Sequence, residues 1–358
     1  MAGRIDPFTL EVIKAGLVAA GDEMFLTLAR TSQSPIIYEV LDYASGLTDE
    51  EGRLITQGNG VTGFLGTVAS ATREAIARHR GTFRPGDVIA GNDPYVGGGT
   101  HLSDVSLVMP YFYKGELIGF GANKAHWTEI GGANPGSFAT DTPDIFSEGV
   151  QLPFVKIVEE GRENEALLAT LAANVRTPEA TLGDFRAQWA ALRVGERRIQ
   201  ALCERYGVEA VRAAMRDVIE RGEARARQAL ARLPQGVFEA EDVIDDDGVT
   251  DAPIPIRVRV TIRDGRFIAD FTGSSPAVRG SINTTWAGLE AGVRTAYKAV
   301  LPPDLPANEG EPKDERETGR KRDFSAHKLK RNAGSMRNER DHAERARVNP
   351  MKNCASAR

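Results

Sequence analysis

The sequence predicts an α+β protein with a β-rich centre. Three observations carry that expectation. Apolar residues recur at helical spacing near the N-terminus and again from Leu182 to Leu233. Between these stretches, residues 82–160 alternate short apolar runs with Gly, Pro and Asn, the pattern of strands joined by long loops. A later alternating stretch, Ile254 to Phe271, is divided by Asp264-Gly265, a two-residue hairpin signal.

Taken in order, Asp6 caps a first helix, Pro7 suits its first turn, and Leu10, Ile13, Leu17, Met24 and Leu28 mark its apolar stripe. Ser34-Pro35 should end it, because a residue before proline is biased away from helix. Asp42 to Thr56 reads as two short strands around an acidic turn, Gly58 to Gly66 as a loop, and Thr67 to His79 as a second helix. Val105–Met109 and Leu117–Phe120 read as strands folded back by Lys114-Gly115. Trp189, Leu192, Ile199 and Leu202 mark one helical face. After a break at Tyr206-Gly207, Val211, Met215, Val218 and Ile219 mark the next. Leu233-Pro-Gln-Gly236 closes that region. In the following hairpin Ile256, Val258, Val260 and Ile262 share a face, Asp270 to Pro276 is a turn-rich exit, and a last helix is expected near 286–300.

From Glu311 the character changes. The tail holds 14 Lys and Arg against 8 Asp and Glu, so +6 sits there and −11 on the remainder of a chain with net charge −5. Phe324 is its one aromatic residue, and it has no apolar periodicity, so it is expected to be a disordered basic segment. The expected organisation is a region over 1–310 and a tail over 311–358. An acidic body is a poor footprint for nucleic acid. No apolar run of about 18 residues exists, so no membrane span is expected. The start Met-Ala-Gly-Arg-Ile-Asp-Pro has no apolar signal segment, and Cys203 and Cys354 make no disulfide framework, so a cytoplasmic location is expected. Cys203 lies in a helical pattern and reads as a packing residue.

The chemistry-bearing residues cluster. Only five histidines occur, three of them before the tail: His79, His101 and His126. His101 and Asp104 lie in Asn92-Asp-Pro-Tyr-Val-Gly-Gly-Gly-Thr-His-Leu-Ser-Asp104, and His126 in Lys124-Ala-His-Trp-Thr-Glu-Ile-Gly-Gly132. Two imidazoles and a carboxylate form the facial set that a divalent transition metal takes when positions stay open for substrate. Gly97, Gly98 and Gly99 let backbone approach a ligand closely. A 105–120 hairpin would bring both halves to one sheet end. Asn92, Asp93, Lys124 and Glu129 are candidate pocket groups or partners that orient the imidazoles. Glu148 is a further pocket candidate beside Asp141 and Asp144, although surface turns use the same residues.

These stretches, together with Asn174-Val-Arg-Thr-Pro-Glu179 and Asp270-Phe-Thr-Gly-Ser-Ser-Pro276, come in an order that resembles the hydantoinase B/oxoprolinase family, from about Asp6 to about Gly310. That family includes B subunits of ATP-dependent N-methylhydantoinases, the C-terminal part of 5-oxoprolinases, and a subunit of acetone and acetophenone carboxylases. The resemblance implies a bound divalent metal (Mn, Zn or Fe) on His101, Asp104 and His126. It also implies a separate A-type, ATP-binding subunit that phosphorylates the oxygen of a lactam or carbonyl substrate. This chain has no Gly-x-x-x-x-Gly-Lys-[Ser/Thr] loop, and Gly97-Gly98-Gly99-Thr100 lacks the lysine that would meet phosphates.

The implied activity is ring opening of a hydantoin or 5-oxoproline. The alternative within the family is ATP-dependent carboxylation of a ketone. Family members usually continue well beyond this length, so a truncated or frameshifted chain is the simplest account of the tail. The alternative from another class is accordingly an inactive remnant or assembly partner. Loss of that much core would exceed the roughly 5–15 kcal/mol margin of a folded protein. Zinc-dependent cyclic amidohydrolases of the other kind use a His-x-His pair, which this sequence lacks.

Overall fold

The computed structural model describes residues 5–302 except 59, 65, 138–143 and 281, together with Leu305 and Asn308. The expected tail over 311–358 lies outside the described residues, as do Asp141, Thr142 and Pro143. The chain separates into two compact units, one spanning residues up to 229 and returning from 284, the other holding 230–283.

The first unit opens with helix α1 (Pro7–Thr31), whose N-terminus is held by Asp6 Oδ2 accepting from Thr9 N at 2.8 Å. Ile13, Leu17, Met24 and Leu28 are fully buried along one stripe. Pro35 opens a separate single turn, α2 (Pro35–Tyr38). Strands β1 (Tyr43–Thr48) and β2 (Leu54–Gln57) form the expected hairpin. Asp49 closes its turn by accepting from Arg53 N at 2.8 Å and Glu51 N at 3.1 Å. Helix α3 (Thr67–His79) follows, then β3 (Val88–Gly91) and the long hairpin β4 (Asp104–Tyr113) and β5 (Glu116–His126). Lys114 and Gly115 both take positive φ (50° and 87°), the geometry of a two-residue turn matched to strand twist. Strands β6 (Val155–Glu159) and β7 (Arg162–Glu163) complete an antiparallel sheet of order β2-β1-β5-β4-β3-β6-β7.

Two helices appear where the sequence reading placed none or began too late. Helix α4 (Glu165–Asn174) is capped by Asn164, whose Oδ1 accepts from Leu167 N at 3.1 Å. Helix α5 (Pro178–Tyr206) starts at a proline in its first turn, ahead of the expected Leu182. Gly207 ends it, and α6 (Val208–Arg232) continues.

Helices α1 and α5 pack on each other and on one face of the sheet, enclosing the larger core with Leu107, Met109 and Tyr111. Close approach is needed there: a Cβ on Gly195 would lie 2.3 Å from Met24 Sδ and 2.5 Å from Tyr111 Oη. Tyr111 Oη donates to Leu192 O at 2.7 Å, fixing strand to helix. Helix α3 covers the opposite face, where Val68, Ala71 and Ala75 meet Ala44, Val108, Phe120 and Ala122.

In the second unit a three-stranded sheet is built from β8 (Gly236–Ile244), β9 (Ile254–Arg263) and β10 (Arg266–Asp270), in the order β10-β9-β8. The 254–271 hairpin is as expected, with Asp264 and Gly265 at positive φ. Strand β8 was not expected: its acidic residues Glu239 and Glu241 interrupt the apolar pattern because they pair with Arg259 and Arg257 on β9, at 2.7 and 2.9 Å. Helix α7 (Trp286–Ala299) belongs to the first unit, with Thr285 as its cap.

Candidate metal centre

The open end of the β4–β5 hairpin is set by register. Asp104, first residue of β4, stands directly opposite His126, last residue of β5. Opposed residues of an antiparallel pair project to the same face, so both side chains leave the sheet on the α3 side, in line with Ala122 and Val108. Strand β1 flanks β5 with Tyr43 opposite Ala125, which puts Asp42 beside His126; His126 N donates to Asp42 O at 3.0 Å. A row Asp104–His126–Asp42 thus crosses three adjacent strands. Leu41, just before it, holds a left-handed φ of 60°, an uncommon backbone state for a non-glycine residue.

His101 comes from the turn that feeds β4, where Asp104 N donates to His101 O at 3.1 Å. The preceding glycines are needed for close approach. A Cβ on Gly98 would lie 2.6 Å from Thr67 O in the first turn of α3, and one on Gly99 would lie 2.1 Å from Asp93 O. From the other side, Thr285 Oγ1 donates to Gly99 O at 2.8 Å.

His101, Asp104 and His126 each offer a ligand atom, and these atoms all lie within 4.8 Å of one another. His101 Nε2 is 3.3 Å from Asp104 Oδ2, and the imidazole centroids are 5.0 Å apart at 55°. Asp104 and His126 are buried, whereas the His101 side chain remains 23% exposed and so marks the approach. Two ligand-type atoms, Asp104 Oδ1 and His126 Nδ1, are buried without a hydrogen-bond partner among the described residues. Buried polar atoms are ordinarily satisfied. Two such orphans on neighbouring ligand-type side chains fit a cation, and the mixed N/O donor set suits Zn, Mn or Fe.

Electrostatics point the same way. Burial pushes the His101 imidazole below its ordinary pKa, with Asp104 opposing and His126 and Lys124 reinforcing, which favours the neutral form that binds metal. Burial raises the Asp42 carboxyl, and the neighbouring Asp104 raises it further, while His126 lowers it. Lys124 is fully buried on the same face as His126, and burial lowers it to about 8 against the pull of Asp104. Its ammonium donates to Gly98 O and lies 5.5 Å from the Phe64 ring centroid.

The other sequence candidates are spread around this centre. Asn92 is buried and committed to backbone: Oδ1 accepts from Leu152 N at 2.6 Å, and Nδ2 donates to Leu102 O at 2.7 Å and Val150 O at 2.9 Å. It holds the His101 loop from behind. Asp93 Oδ1 accepts from Tyr95 N at 2.9 Å, a local turn. Glu129 is buried and accepts from Gly131 N at 3.0 Å and from the Arg176 backbone and guanidinium, each at 2.5 Å. The Asn174–Glu179 motif thus works through Arg176, which also donates to Gly132 O at 2.8 Å. Glu148 is half-buried, its carboxyl raised by burial and by Asp144, on a segment whose backbone packs against Gly132. In the second unit the Asp270 motif is a turn, with Thr272 N donating to Asp270 Oδ1 at 2.9 Å. Cys203 is free and buried. Sequence reasoning missed Asp42, read only as the start of a strand, and Ser137, whose Oγ lies 2.9 Å from His126 Nε2.

Comparison with known proteins bears on this site. The profile of the hydantoinase B/oxoprolinase family matches residues 6–313. The β subunit of caprolactamase from Pseudomonas jessenii is 34% identical over 309 residues, covering 86% of this chain and 52% of that protein. The crystal structure of that ATP-dependent caprolactamase superposes with a TM-score of 0.78 at 32% identity, over 86% of this chain and 53% of the other. 5-Oxoprolinase 1 of Arabidopsis thaliana is 30% identical over 331 residues, 85% of this chain and 26% of its own. A nucleotide-free acetone carboxylase shares the fold with a TM-score of 0.79 at 21% identity, over 87% of this chain and 45% of the other. The chain spans about half the length of the first curated relatives it matches. Among the described residues, no helix is long and apolar enough to cross a membrane.

Proposed function

We propose that this chain, which belongs to the hydantoinase B/oxoprolinase family, is the metal-binding subunit of an ATP-dependent hydrolase of cyclic amides. One observation carries the reading: three side chains offer ligand atoms within 4.8 Å of one another at the open end of a register-locked hairpin, and two of them, Asp104 and His126, keep a buried atom without a partner among the described residues. The amide branch is favoured over the carboxylase branch because the relatives at 30% identity or above with named activities act on cyclic amides, whereas the carboxylase likeness concerns the fold.

The chemistry divides between two subunits. An A-type partner carries ATP and phosphorylates the amide oxygen, since an unstrained amide is a poor electrophile and an O-phosphoryl imidate has a good leaving group. A bound divalent cation polarises carbonyl groups and lowers the pKa of water. His101, Asp104 and His126 would hold that cation, and Asp42 adds a second carboxylate to the row. Lys124 holds the glycine loop by its Gly98 carbonyl and offsets the charge of Asp104. The exposed edge of His101 leaves the substrate side open, and Asn92 and Glu129 keep the flanking loops in place.

The test has two parts. Purified protein is expected to carry near-stoichiometric divalent metal that His101→Ala removes. Combined with its nucleotide-binding partner, it should turn over ATP in response to a hydantoin, lactam or 5-oxoproline without bicarbonate. ATP turnover that needs a ketone and bicarbonate would transfer the chain to the carboxylase branch, and a metal-free, aggregating protein would support a non-catalytic remnant.

A further inference from the structure

The two orphaned atoms have a common feature. In each side chain the other polar atom is held, and in each the holder includes a hydroxyl. Asp104 Oδ2 accepts from Thr100 Oγ1 and lies 3.3 Å from His101 Nε2, leaving Oδ1 buried and unpartnered. His126 Nε2 is 2.9 Å from Ser137 Oγ, leaving Nδ1 buried and unpartnered.

We propose that Ser137 is a positioning residue of the metal centre: its hydroxyl holds Nε2 of His126, so that His126 meets the cation through Nδ1. The inference rests on the metal reading above and adds to it which imidazole nitrogen binds and what fixes it. A metal-bound imidazole normally donates its other N–H to an acceptor, which sets both tautomer and ring orientation. Here Nε2–H donates to Ser137 Oγ, and the lone pair of Nδ1 is turned inward. His126 ends β5 and its ring lies on a buried face, so a flip of the ring would exchange Nδ1 with Cδ2 and Nε2 with Cε1, withdrawing the Nδ1 lone pair from its present place and leaving Ser137 without its partner. Gly136 precedes Ser137 at a φ of 99°, a left-handed state open to glycine, and this places the hydroxyl beside the imidazole. Thr100 plays the corresponding part for Asp104.

The experiment uses the full chain, Zn(II) as the probe and histidine labelled with ¹⁵N. In the Zn(II)-loaded wild type, the long-range ¹H–¹⁵N spectrum should show His126 protonated at Nε2 and metallated at Nδ1. Ser137→Ala should weaken Zn(II) affinity about 10- to 100-fold, the usual effect of losing such a partner. Ser137→Thr should restore most of it, and the urea midpoint of the metal-free protein should be the same in all three. Metallation at Nε2, or a Ser137→Ala protein that binds Zn(II) as tightly as wild type or more tightly, overturns the assignment while leaving the metal reading intact. A wild type that takes up no Zn(II) refutes the metal reading itself and the assignment with it.

Discussion

Lys124 offers the sharpest physical prediction. Its ammonium is fully buried, and burial lowers its pKa from 10.5 to about 8, with Asp104 only partly compensating. The unfolded chain keeps the ordinary value, so between those two values the unfolded state binds more protons than the folded one. Stability therefore rises with pH through that window, and below about 8 the full penalty is present. A depression of about 2.5 units corresponds to about 3 kcal/mol at neutral pH, falling to about 1 kcal/mol near pH 10. Lys124→Met keeps most of the side-chain volume and removes the charge. In chelator-treated protein, urea unfolding at pH 7, 9 and 10 should therefore show wild type gaining on the variant by roughly 2 kcal/mol across the series. Tyr43 and Tyr111, which burial raises above the ordinary tyrosine value in the folded protein, contribute equally to both profiles and cancel in the difference. Parallel pH profiles for the two proteins would refute the claim that a buried charge is carried beneath the glycine loop.

Two further outcomes are expected. Asp42→Asn should lower Zn(II) affinity about 10-fold or more while leaving the metal-free urea midpoint nearly unchanged, measured by chelator competition; equal affinity would remove Asp42 from the site. Arg176→Met should destabilise the metal-free protein by about 3 kcal/mol, because it leaves the buried Glu129 carboxylate without its guanidinium, and Glu129→Gln in the same background should recover part of that loss.

The legible parts of this protein are those fixed by local chemistry. Lys114-Gly115 and Asp264-Gly265 announced their hairpins because both turns need two residues at positive φ. Asp6-Pro7 announced α1 through its cap. His101, Asp104 and His126 stood out because histidine is scarce and glycine surrounds them, and one hairpin suffices to join them. Asp42 was not legible: it immediately precedes β1, and only the non-local pairing of Tyr43 with Ala125 brings it beside His126. Strand β8 was hidden for a related reason, since its glutamates make sense only opposite the arginines of β9. Helix α4, capped by Asn164, is short and lies between β7 and the long α5, and its Ala and Leu residues run nearly all round it, so they give little periodic signal. Glu129 looked like a pocket group because its partner Arg176 is remote in sequence.

The placement of the row on strand ends rather than on loops has a chemical consequence. Asp104, His126 and Asp42 are located by ladder register, and a slip of one residue would turn all three to the opposite face, where α1 and α5 pack. Such a slip would also expose the Val105 and Ala125 side of the hairpin, so core packing and ligand placement enforce the same register. The segments that border this centre are placed differently: the 92–100 loop, the segment around Gly131 and Gly132, and the segment carrying Glu148 are held by side chains such as Asn92, Lys124 and Arg176. On the proposed function, those bordering segments would meet the substrate and the strand-end row would hold the cation. On this arrangement, changing the loop residues other than His101 and Ser137 should redirect substrate choice between amide and ketone while Zn(II) affinity stays constant. Exchange of the 127–149 segment with that of the caprolactamase β subunit, with Ser137 retained, followed by metal titration and substrate-dependent ATP turnover, would test it; loss of Zn(II) binding in that exchange would show that the two sets are one.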